Sequence, residues 1–82
     1  METPIWLNKA NIITTLDARP LLASGIHPLE QVKSETAAMA KGEIYEIITP
    51  FQPMPMIEKM QDAGYKSFTE QHEGEFHTYF CI

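Results

Sequence analysis

Several groups of residues in this 82-residue chain have types and spacings that could do chemistry. The first is Arg19-Pro20 followed by His27-Pro28-Leu29-Glu30, which reads as a connection delivered into a helix start. A helix N-terminus gathers unpaired backbone N–H groups and about half a positive charge, so it favours anions. There His27 could hydrogen-bond a ligand, bind a metal, or donate as imidazolium toward an anion beside Arg19. The planar Arg19 guanidinium would suit a carboxylate or phosphate. Plainer roles take precedence. His27 serves as a helix cap, since one histidine supplies too few ligands for a defined metal centre, and Arg19 pairs with Asp17, Glu30 or a carboxylate from the sheet.

His72 and His77 flank Glu73-Gly74, with Glu70 and Glu75 nearby, and are weak candidates for a divalent metal. In a hairpin a one-residue register shift moves a side chain to the other face, so the spacing does not select that outcome, and a solvated polar hairpin end is favoured. Met39, Met54, Met56 and Met60 recur at helical spacing and read as core fillers. The segment Phe51-Gln52-Pro53-Met54-Pro55 is rigid. If Phe51, Met54 or Pro55 stays exposed near His27, two helix starts frame a shallow apolar, weakly cationic groove for a small ligand or partner peptide; burial against the sheet is the competing outcome. The candidate binding residues are therefore Arg19, His27, Pro28, Glu30, Phe51, Pro53 and Pro55. No Ser/His/Asp or paired-carboxylate arrangement names a reaction, and no catalytic residue is assigned.

The elements that must position these residues follow from periodicity and punctuation. Ile12 to Asp17 is a β-branched-rich strand, and Pro20 to Ile26 a connection. Pro28 to about Lys41 carries apolar positions at helical spacing, with His27 as N-cap, Glu30 at N3 and Gly42 as the stop. Glu43 to Thr49 is a nearly continuous apolar run, as in a central strand covered on both faces. Three prolines end it, and Met54 to Ala63 forms a second helix closed by Gly64. From Tyr65 the period becomes two, giving a hairpin of Tyr65 to His72 and Glu75 to Ile82 about Glu73-Gly74. The order βαβαββ predicts an α+β, two-layer sandwich with two helices on one face of a four-stranded mixed sheet. Residues 1–11 form a leader packed through Ile5, Trp6 and Leu7, or a short edge strand, and residues 12–82 form one domain.

Composition narrows the function classes. Eleven acidic residues against six basic ones give a net charge of −5, and the basic residues are scattered, which removes the electrostatic basis for nucleic-acid binding. No run approaches the ~20 apolar residues of a membrane span, so no membrane association is expected. Cys81 is the single cysteine, so no internal disulfide or cysteine zinc cluster can form, as in a reducing cytoplasm. A small buried apolar role fits Cys81 better than reactivity.

Leu16-Asp17-Ala18-Arg19, His27-Pro28, Lys41-Gly42-Glu43 and Phe51-Gln52-Pro53-Met54-Pro55, in this element order, resemble the bacterial domain family DUF2249, which is similar in fold to the TusA/SirA-like sulfur carriers. The resemblance spans about Ile12 to Ile82. It implies a non-enzymatic cytoplasmic ligand-binding or adaptor domain in a redox-linked setting, with a protein partner or a small anionic ligand and no assigned cofactor. The alternative it implies is a sulfur-relay component or small transferase. In the carriers a Cys-Pro-x-Pro motif opens the first helix and its cysteine holds a persulfide; here His27-Pro28-Leu29-Glu30 keeps only Pro28, and imidazole cannot form a persulfide.

Overall fold

A computed structural model describes residues 3–82. It is an α+β domain with a four-stranded mixed sheet, built from β1 (Ile12–Asp17), α1 (Arg19–Ala23), α2 (Leu29–Ala37), β2 (Ile44–Thr49), α3 (Met54–Asp62), β3 (Lys66–His72) and β4 (Glu75–Cys81). The spatial order is β1-β2-β4-β3; β1 runs parallel to β2, and β4 is antiparallel to both neighbours.

One face of the sheet is covered by helices. Val32 of α2 and Met56, Ile57 and Met60 of α3 are buried with Tyr45, Ile47 and Phe80 from the two central strands. Three methionines, Met39, Met56 and Met60, fill this core, whereas Met54 is 47% exposed. The opposite face is partly covered by the leader: Trp6 and Leu7 pack with Ile12 and Phe68 against Ile44, Tyr79 and Cys81. This second cover explains why β2 carries Ile44 on the face away from the helices. Ile5, expected to help anchor the leader, is fully exposed. Among the described residues of the leader no edge strand forms; a 3-10 turn spans Lys9–Asn11, capped by the Asn8 side chain accepting from the Ala10 N–H.

Several element ends shift by one residue from the sequence expectation, and three differences around the first helices bear on the site. The Pro20 to Ile26 connection contains the short helix α1, whose start is fixed by the Asp17 carboxylate accepting the Arg19 N–H at 3.1 Å and by Pro20 in its first turn. The next helix begins after Pro28, not His27: the Val32 N–H bonds the Pro28 carbonyl at 2.9 Å, no side chain caps this end, and Glu30 falls at the second helical position. That helix also stops at Ala37, well before Lys41. The Glu43 carboxylate takes the Ala40 N–H at 2.7 Å while the Ala40 carbonyl accepts the Glu43 N–H at 3.1 Å, so a local turn holds groups that a longer helix would have used. Gly42 sits in this turn at φ +93°, a backbone shape that a side chain would strain.

Candidate functional site

The starts of α2 and α3 lie beside each other on the helical side of the sheet, and an open cleft of about 310 Å³ forms between them. His27, Pro28 and Leu29 line one side; Phe51, Pro53, Pro55 and Met56 line the other. Leu22 of α1, Thr49 at the end of β2 and Lys59 complete it. The three prolines and the buried Thr49 account for its rigidity. Pro28 and Pro53 are buried, and the Thr49 hydroxyl donates to the Phe51 carbonyl, holding the chain as it leaves the sheet.

The cleft is almost entirely apolar, with polar groups at its margin. His27 and Lys59 are its two basic side chains, and no carboxylate lines it. Lys59 enters no ion pair among the described residues. Phe51 in the lining is 50% exposed, and two neighbours of lining residues in the chain, Met54 between Pro53 and Pro55 and Ile26 next to His27, are 47% and 52% exposed. Of the sequence candidates, His27, Pro28, Phe51, Pro53 and Pro55 thus meet at one place.

Arg19 and Glu30 do not line that cleft. Glu30 is exposed on α2. Arg19 turns toward the other face of the sheet, where its guanidinium clasps Asp17 through two bonds of 2.9 and 2.7 Å and also donates to Glu75. These contacts lower the Asp17 carboxyl to about 2 and raise the guanidinium further above its ordinary value.

The pairing continues across β1, β2 and β4. Glu75 meets His77 Nε2 at 3.2 Å, His77 Nδ1 meets Glu46 at 2.6 Å, and Glu46 accepts the Thr15 hydroxyl at 3.0 Å. Both nitrogens of His77 thus face carboxylate oxygens, which fixes the ring between β2 and β4. Beside this chain, Glu70 accepts from Lys9 at 3.2 Å and contacts His72 at 2.9 Å, and these two neighbours hold its carboxyl below the usual range. Tyr79 donates to Glu70 at 3.4 Å; burial and the nearby Glu46 and Glu70 charges push its phenol upward.

The hairpin register pairs Glu70 with His77 and His72 with Glu75. It brings the two imidazoles together edge to face, 5.1 Å between ring centres. Three of their four nitrogens, His72 Nε2 and both of His77, nevertheless face carboxylates, and among the described residues no group of three or more His, Cys, Asp and Glu is arranged to hold a metal. Cys81 is buried in β4 with Ile44 and Tyr79, remote in sequence from either helix start.

Sequence reasoning missed Glu46, Thr15, Thr49 and Lys59. Glu46 carried a usable signal, because one carboxylate inside Ile44-Tyr45-Glu46-Ile47-Ile48 must find partners when the strand is central. Lys59 carried none; its place at the cleft depends on where α3 docks. No helix among the described residues is long and apolar enough to cross a membrane. No family model, no curated protein and no solved structure matches the chain, so the meaning of the cleft rests on its own geometry.

Proposed function

We propose that this chain is a non-enzymatic cytoplasmic adaptor domain whose cleft receives an apolar anchor side chain from a partner protein. The observation that carries the proposal is the coincidence of an apolar cleft with exposed apolar side chains on the same two segments, Ile26 on one and Phe51 and Met54 on the other. A small ligand within about 310 Å³ would leave those side chains in water. A protein surface would bury both, with the anchor filling the centre and the half-exposed residues closing around it, as at interface hot spots. Covering the remaining half of each such side chain is worth about 1 kcal/mol apiece, by the ~1.5–3 kcal/mol for full burial.

The lone thiol supports a binding role over sulfur relay. A carrier needs a thiolate at a helix start, where this chain has His27, and Cys81 is 3% exposed. The single cysteine fits a reducing compartment, and the resemblance to DUF2249 implies the same adaptor role in a redox-linked setting.

The test is selection of binders from a random displayed peptide library on the full chain, followed by amide chemical-shift mapping with the best peptide. Perturbations should cluster on Leu22, Leu29, Phe51 and Met56. A cluster on Thr15, Glu46 and His77, or no binder at all, would overturn the adaptor reading.

A further inference from the structure

From the charges around the cleft we infer that the partner's anchor is flanked by acidic side chains, so the recognised element is a short acidic-hydrophobic peptide segment. The inference rests on the adaptor reading and adds the chemistry of the partner.

The argument starts from where this acidic chain places its few cations. Of six Lys and Arg residues, Arg19 and Lys9 are tied into the network on the other face of the sheet, to Asp17 and Glu75 and to Glu70. Lys59 lines the cleft, unpaired among the described residues, with His27 as the second basic group there and no acidic residue among the lining. On a chain with eleven carboxylates, a cleft lined by two basic side chains and no acidic one repels an approaching acidic group less than a carboxylate-lined surface does.

The apolar walls add to this. A carboxylate near Lys59 sits at the edge of a water-poor surface, where attraction is screened less than in bulk solvent. The apolar anchor supplies most of the affinity, and the flanking charge sets orientation and partner choice. A basic flank would face Lys59 at the same distance with opposite sign, so the discrimination includes repulsion as well as attraction. A second copy of this chain is a poorer occupant: each copy carries a net charge of −5, and the Phe51 it would offer is already part of its own cleft wall.

The experiment is the library selection run on the wild-type chain and on Lys59→Glu in parallel at low salt, with deep sequencing of the bound pools. On the wild type, enriched peptides should share an apolar anchor with Asp or Glu within a few positions. On Lys59→Glu the same anchors should enrich with neutral or basic flanks. The best wild-type peptide should bind Lys59→Glu about fivefold more weakly, the upper end of one exposed ion pair, and that difference should shrink as salt rises. A His27→Gln chain should give a smaller loss in the same direction. Anchors enriched with no preference in flank charge, and unaffected by Lys59→Glu, would overturn the acidic-flank inference while leaving the cleft as the docking site. Absence of any shared anchor would overturn both. Lys59 is exposed on α3, so its substitution leaves the core intact, and an unchanged circular dichroism spectrum confirms that the comparison is between folded chains.

Discussion

On the leader side of the sheet Asp17, Arg19, Glu75, His77, Glu46 and Thr15 each meet a partner of their own chain, while across the sheet Phe51 and Lys59 line an apolar cleft and meet little. The residues with the more obvious chemistry, an arginine and two histidines, are held in internal pairs. Those that read as ordinary helix and loop residues are left toward solvent. A side chain's capacity for chemistry is thus a poor guide to whether it is free to act; what matters is which groups the fold has already brought to it.

Breaking the wall that the two regions share has the largest effect. Ile47 is fully buried in the central strand between them, and Ile47→Ala should lower unfolding free energy by about 3 kcal/mol in a denaturant titration, from lost burial and the cavity left behind. Glu46→Ala strikes only the paired face. It strips Thr15 and His77 of an acceptor in a partly buried place and should cost about 2 kcal/mol, measured the same way, with cleft binding retained. Thr49→Val strikes only the cleft: losing the bond to the Phe51 carbonyl should cost about 1 kcal/mol and weaken peptide binding by loosening the Phe51 to Pro55 segment.

A smaller effect sharpens the paired side through pH. Asp17 is depressed from 3.8 to about 2, so the folded state holds fewer protons at this site than the unfolded chain between those values. Its stabilising contribution is complete above the unfolded value and is lost as pH falls through the folded one. Carboxyl-detected NMR should show Asp17 titrating near 2 in the wild type and moving back toward 3.8 in Arg19→Gln. A wild-type midpoint near 3.8 would dissolve the Asp17–Arg19 clasp.

Much of the architecture was legible in the sequence. The β1 limits, the hairpin about Glu73-Gly74 and the end of the last helix at Gly64 all rest on local signals; there the Tyr65 N–H returns to the Met60 carbonyl at 3.0 Å past a glycine at φ +98°. What sequence did not supply was competition between alternatives of similar local cost. The stretch after Ala37 kept helical periodicity, yet the Glu43 carboxylate and Gly42 favoured a turn. Arg19 had several carboxylates within reach in sequence terms, and only the β4 register brought Glu75 to it. Pro28, Phe51 and the prolines around Met54 were readable as one groove because they sit at two helix starts; Lys59 belongs to it only through the docking of α3.

The contrast between the two faces is tested most directly by measuring stability and peptide affinity side by side for Phe51→Ser and Arg19→Gln. Phe51 is half-exposed, so Phe51→Ser should lower unfolding free energy by no more than about 1 kcal/mol, the worth of its buried half, while nearly abolishing binding of the selected peptide. Arg19→Gln should lower stability and leave the peptide's affinity unchanged. Binding that survives Phe51→Ser but is lost in Arg19→Gln would contradict the account and move the functional surface to the other side of the sheet.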